Sequence, residues 1–273
     1  MTVHHLNCGT MHPASQRLTN GTGGLLAAAT LVCHTLLAET DQGLVLIDTG
    51  FGTRDLADPA ASLGRRLLRF SRPVLDPEET ALRQLARLGH RPDDVRHIVL
   101  THLDPDHAGG LADFPRATVH LHARELEAAE RRATRGDRAR YRPTQWAHGP
   151  AWATYGEAGE DWHGFAAVRP LAGLPPQLAL VPLAGHSRGH SGVAVDTGEG
   201  WLLHAGDTYF HRGEIDPVRP HCPPGLRLFG NLVQVDGPAR RANLARLAEL
   251  RAAGGDVEVF SAHDPVEYAP HQR

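Results

Sequence analysis

Apolar residues along the chain alternate between short runs of strand length and stretches of helical period. Residues 30–39 and 43–48 are apolar runs separated by Asp41-Gln42-Gly43, which predicts a hairpin whose second strand ends at Asp48-Thr49-Gly50. Residues 78–88 (EETALRQLARL) carry leucines at 82, 85 and 88, with acids leading and bases trailing, so a helix stopped by Gly89 is expected. Residues 96–101 (RHIVLT) predict a strand that runs into His102, and 117–122 followed by 123–132 predict a strand and a helix. Strands are expected again at 178–183, 192–196, 201–204 and 257–261, with a helix over 238–253 before the last. Strands and helices therefore fall in two similar blocks, with no linker rich in Gly, Ser or Pro between them. One α/β domain of two packed halves, spanning residues 1–273, is the simplest account.

Residues 134–165 break the pattern. They hold Trp146, Trp152 and Trp162, three of the four tryptophans, and four arginines between 135 and 142. The arginines read as a solvated helix end. The aromatic part, 146–165, reads as a long loop expected to border the active site, since long loops in compact domains are often functional.

Composition changes this picture in two ways. All 28 basic residues are Arg, which excludes lysine Schiff-base chemistry and a P-loop lysine. The 19 histidines point toward metal. A net charge of -3 offers no electrostatic footprint for nucleic acid or an anionic membrane, so a small-molecule substrate is expected, with neither of those as partner; oligomeric state is open. Cys8, Cys33 and Cys222 are too widely spaced for a thiolate zinc motif and read as buried thiols in a reducing compartment. The longest largely apolar run, 25–33, has neither the length of a membrane span nor the flanks of a signal peptide, so the expected location is cytoplasmic.

The densest chemical signal is Thr101-His102-Leu103-Asp104-Pro105-Asp106-His107-Ala108-Gly109-Gly110, with four ligand-type side chains between residues 102 and 107 at a strand's end. In extended backbone, positions 102 and 104 point the same way and suit one ion. Pro105 then turns the chain so that Asp106 and His107 face a second. Carboxylates crowded in this way need cations. Further ligand-type residues follow other apolar strands: His186 and His190 in Gly185-His186-Ser187-Arg188-Gly189-His190, Asp207 after WLLHAG, and His263 after VEVFSA.

In these motifs the chain resembles the metallo-β-lactamase superfamily, whose five motifs occur in order from Asp48 to His263. The resemblance implies a four-layer αβ/βα sandwich with two divalent metal ions at the seam of its halves. It assigns His102, Asp104 and His190 to one ion, with His186 supporting their loop, and Asp106, His107 and His263 to the other. Asp207 would bridge, and Asp48 would orient the metal-binding loop. One departure is that this chain has HxDxDH where the family pattern is HxHxDH. Because carboxylate oxygen is harder than imidazole, the expected metals are zinc, or iron or manganese in at least one position.

Such a pair of ions acidifies a bridging water for attack on a polarised carbonyl or phosphoryl group. The expected activity is hydrolysis of a carboxylic ester or lactone, with thioesters, phosphoesters and a di-iron oxidoreductase of the same fold as alternatives. Asp106 is expected to move the proton and Tyr209 to hydrogen-bond the developing oxyanion. A serine hydrolase is the rival class, because Gly185-His186-Ser187-Arg188-Gly189 also matches GxSxG. That motif requires a helix after the serine, however, and a strand pattern follows here. A metal-free binding module is disfavoured because every ligand position holds a competent side chain.

Overall fold

The computed structural model describes residues 1–156, 159–167 and 170–272. Its strands are β1 (Thr2–Met11), β2 (Leu31–Thr40), β3 (Gly43–Ile47), β4 (Val95–Val99), β5 (Thr118–His122), β6 (Ala151–Tyr155), β7 (Glu160–Trp162), β8 (Phe165–Ala167), β9 (Leu178–Pro182), β10 (Ser191–Asp196), β11 (Trp201–His204) and β12 (Val257–Phe260). One sheet runs in the order β1-β2-β3-β4-β5-β6 and a second in the order β12-β11-β10-β9. In the first, β1, β2 and β3 pair antiparallel while β3 through β6 are parallel. In the second, only β11 and β12 are parallel.

The period-two geometry of a strand explains the layering. Leu44 and Leu46 of β3 face outward under the helices Ala81–Arg87 and Ala123–Arg131, in a core with Leu85, Ile98, Val119 and Ala129. Val45 and Ile47 face the other way and meet Leu178, Leu180, Val193, Val195 and Phe260 of the second sheet. Ala179, Val181 and Leu203 then face the helix Gly237–Ala253 through Leu247. The resulting order is helix, sheet, sheet, helix, which is the expected αβ/βα sandwich.

Three differences have local causes. The helix expected over 78–88 is divided, because Thr80 takes an extended conformation and accepts a hydrogen bond from Arg83 N (3.3 Å), so that a 3-10 turn over Pro77–Glu79 precedes the helix Ala81–Arg87. The edge strand β1 escaped the pattern because polar residues such as His4, His5 and Asn7 interrupt it. The helix Pro224–Val233 also escaped it.

The aromatic part of the stretch 134–165, residues 146–165, is not a loop against the metal site. Residues 135–140 form a helix, and Trp152 lies on β6, extending the large sheet, where it and Trp146 pack on the first core. Trp162 and Phe165 belong to a hairpin, β7–β8, buried in the outer core with Leu247. Residues 157 and 158 of this stretch lie outside the described residues. Strand pairing and burial dispersed what reads in sequence as a single aromatic segment. Among the described residues, no helix is long and apolar enough to cross a membrane.

Candidate metal centre

The centre is assembled from the ends of strands. Immediately after β3, Asp48 adopts φ 58°, an unusual conformation for a non-glycine residue. The strain is held in place by its contacts. Asp48 Oδ1 accepts from Thr101 N (2.8 Å), and Oδ2 accepts from Thr101 Oγ1 (2.8 Å) and lies 2.8 Å from His107 Nδ1. Burial works against the Asp48 carboxylate, yet His107 and other nearby imidazoles hold its pKa below the usual value. With Nδ1 facing a carboxylate, His107 presents Nε2 to the centre, an arrangement that fixes both tautomer and ring angle.

Close backbone approach completes this corner. Thr49 N and Oγ1 both donate to His107 O (2.8 Å each), and a Cβ at Gly110 would lie 3.0 Å from Thr49 Cβ. The Gly109-Gly110 pair is therefore what lets the HxDxDH turn rest on the Asp48 loop.

Two donor groups share Asp207: His102, Asp104, His186 and Asp207 place one ligand atom each within 4.8 Å of one another, and so do His107, Asp207 and His263, while Asp106 clusters in the same way with His263 and the Cys33 thiol. Asp207 is common to both: Oδ2 lies 3.8 Å from His102 Nε2 and 3.4 Å from His186 Nε2, while Oδ1 lies 3.3 Å from His107 Nε2 and 3.1 Å from His263 Nε2. Asp104 Oδ2 is 3.0 Å from His186 Nε2 and 3.5 Å from His102 Nε2. Asp106 Oδ2 stands 3.6 Å from His263 Nε2. His263 Nδ1 donates to Val32 O (2.7 Å), which again leaves Nε2 facing inward.

The chemistry of these atoms fits divalent cations. His102 Nε2 and Asp207 Oδ1 are buried without a hydrogen-bond partner, a costly state unless a cation takes their lone pairs. Two ring nitrogens, His107 Nε2 and His263 Nε2, face each other at 3.3 Å. Burial, followed by the Arg140 guanidinium, pushes His186 down to about 3, which favours the neutral imidazole that metal coordination requires. Burial opposes the Asp207 carboxylate, but His263, His107 and His186 hold it well below the usual range.

The geometry corrects two assignments. His186, not His190, joins His102 and Asp104. His190 donates from Nδ1 to Leu183 O (3.1 Å) and accepts at Nε2 from Asp207 N (2.9 Å), so both nitrogens are spent holding the Asp207 turn. A Cβ at Gly206 would lie 2.6 Å from His190 Nε2, which shows how tightly the ring is seated. Tyr209 is also misplaced as an oxyanion partner. It is fully buried in the outer core, with its hydroxyl 3.1 Å from Glu267 Oε1, because the chain turns inward after Asp207. Ser187 does not form a nucleophile elbow either: its Oγ donates to Glu125 Oε2 (2.6 Å), and β10 follows.

Two residues lacked a sequence signal. Glu125, fully buried at the start of its helix, accepts from Leu103 N (3.2 Å), Ser187 Oγ and Gly189 N (2.9 Å), tying the HxDxDH turn to the His186 loop. Arg140, read as part of a solvated helix end, is 11% exposed and faces Asp104. Neither a lone acid at a helix start nor one arginine among several announces such a partner. The thiols Cys8 and Cys33 are buried as expected, whereas Cys222 is half-buried.

The family model for the metallo-beta-lactamase superfamily matches residues 28–263. The chain belongs to that superfamily and is a metal-dependent hydrolase. A probable metallo-hydrolase of Mycobacterium tuberculosis is 47% identical over 268 residues, which is 97% of this chain and 81% of that protein. The N-acyl homoserine lactonase AiiA of Bacillus thuringiensis subsp. kurstaki is 32% identical over 108 residues, 40% of this chain and 42% of its own. A structure of B. thuringiensis AiiA with N-decanoyl-L-homoserine at its active site has a TM-score of 0.72 at 20% identity, covering 99% of this chain and 96% of that one, a likeness of fold.

Proposed function

We propose that the chain holds two divalent ions and hydrolyses a carboxylic ester or lactone. The observation that carries this reading is the shared carboxylate: Asp207 turns one oxygen to each of two donor groups, so both ions would sit around a single side chain. Ions bound there would acidify a water at neutral pH and polarise the carbonyl it attacks. His102, Asp104 and His186 would hold one ion and His107, His263 and Asp106 the other. Asp106 joins the second group through His263, whose Nε2 lies 3.6 Å from its Oδ2, and from there would orient the water and carry its proton to the leaving alkoxide. No protein nucleophile is needed, which accords with Ser187 being engaged by Glu125.

Support for a lactone or ester comes from the local sequence likeness to an N-acyl homoserine lactonase. The test is a screen of purified protein against acyl lactones, aryl esters, thioesters and phosphodiesters, before and after chelation. Ester or lactone turnover that disappears on chelation and returns with added metal is expected. Turnover confined to phosphodiesters, or unaffected by complete metal removal, would overturn the reading.

A further inference from the structure

Arg140 ends the helix Arg135–Arg140, whose start is locked by a reciprocal cap: Thr134 Oγ1 accepts from Asp137 N (3.0 Å) and Asp137 Oδ2 accepts from Thr134 N (3.0 Å). Arg138, on the same helix, spends its guanidinium on the carbonyls of Arg132 and Ala133 at the surface. Arg140 instead turns inward. Its Nη1 donates to His186 O (3.0 Å), its Nη2 donates to Val233 O, and its Nε lies 3.5 Å from Asp104 Oδ1. One guanidinium thus touches the backbone of one ligand-type residue and the carboxylate of another.

The two oxygens of Asp104 are divided accordingly. Oδ2 faces the imidazoles of His102 and His186, while Oδ1 is buried without a hydrogen-bond partner and has Arg140 as its counter-charge. We propose that Arg140 is a positioning residue that makes a carboxylate workable at position 104: the pair presents the net charge of one neutral imidazole and aims a single oxygen at the first ion. The carboxylate and guanidinium charges cancel, so the centre keeps the overall charge it would have with histidine at 104 and no arginine. The departure from HxHxDH is then a two-residue exchange whose second member lies 36 positions downstream.

This inference rests on the two-ion reading, and its test reads metal rather than turnover. Wild type, Asp104→His, and the double variant Asp104→His with Arg140→Gln are dialysed against the same zinc buffer, then assayed for zinc per chain and for zinc affinity by chelator competition. In Asp104→His a buried guanidinium is left beside an imidazole and a cation, so affinity at one position should fall roughly a hundredfold, as expected for a buried charge that has lost its partner. Removing that charge in the double variant should restore affinity at least tenfold over Asp104→His and return the content to two ions per chain. If Arg140 only braces the carbonyls of His186 and Val233, the second substitution can only do further harm. A double variant that binds zinc no better than Asp104→His, or an Asp104→His protein with wild-type affinity for both ions, would overturn the proposal. Should Asp104→His fail to fold, recovery of folded protein in the double variant supports the proposal and its absence counts against it. Wild-type protein that takes up no zinc, manganese or iron would instead sink the two-ion reading itself.

Discussion

His186 and His190 sit four positions apart in one loop and differ in what their nitrogens already hold. His190 has both committed to protein partners, so a metal there would have to displace a buried hydrogen bond, the one that Asp207 N donates to Nε2. His186 has Nε2 among carboxylates and its Nδ1 without a partner. His186→Ala is therefore expected to lower metal content from two ions toward one with a modest loss of thermal stability. His190→Ala should cost about 2–4 kcal/mol through the cavity and the two lost bonds. Elemental analysis alongside denaturant melts separates the two outcomes. Glu267 provides a test away from the metal. Burial raises its pKa from the ordinary 4.5 to about 7, against the hydrogen bond from Ser261 N and that from the Tyr209 hydroxyl. Since the folded pKa lies above the unfolded one, folding favours the protonated acid. That contribution is complete below pH 4.5 and is lost as pH rises through 7. Glu267→Gln should consequently gain stability relative to wild type across this window and hold a constant difference above it. Urea melts over a pH series would show no such divergence if Glu267 titrates normally.

At the scale of elements, the donor residues were legible because each follows an apolar strand, and an apolar strand is legible from its own residues. The pairing of β3 with β4, and of β11 with β12, places Asp48, His102, Asp207 and His263 side by side at one edge of the sandwich. What could not be read was which of two histidines on one loop faces inward, since that depends on contacts with β11 and with Glu125. The aromatic stretch misled for a related reason: its tryptophans are drawn apart by contacts with different distant segments, strand β5 for Trp152 and the outer core around Leu247 for Trp162. Gly189 marks where the His186 loop meets the helix Ala123–Arg131. A Cβ there would stand 2.8 Å from Glu125 Cα. Gly189→Ala should cost about 1–3 kcal/mol by overpacking and, by pushing Glu125 away from Ser187 and Leu103, weaken metal retention in the first group more than in the second. Equal retention by both groups in a chelator titration would show that the Glu125 tether does not position the ligands.

For the molecule as a whole, the two sheets are held together in two ways: by the apolar seam of Val45, Ile47, Leu180 and Val193, and by a polar end in which carboxylates and imidazoles from both sheets meet. Stripped of cations, that end must keep Asp104, Asp106 and Asp207 close together, with His107 and His263 raised above their usual pKa chiefly by Asp207 against the opposing effect of burial. Protons can then stand in for metal, but less well, so binding energy becomes folding energy. Chelated protein should unfold at a lower temperature than the metal-loaded form, and added metal should restore the transition. The identity of the ion follows from donor type once Arg140 has offset the charge of Asp104. Each position would offer two imidazoles and two carboxylates, a harder set than three imidazoles and one carboxylate, so manganese or iron should restore the transition as fully as zinc does, although zinc binds more tightly at equal concentration. Thermal melts of stripped protein titrated with each metal decide this. Restoration by zinc alone would mean that Asp104 does not coordinate, and would leave its pairing with Arg140 as a structural contact only.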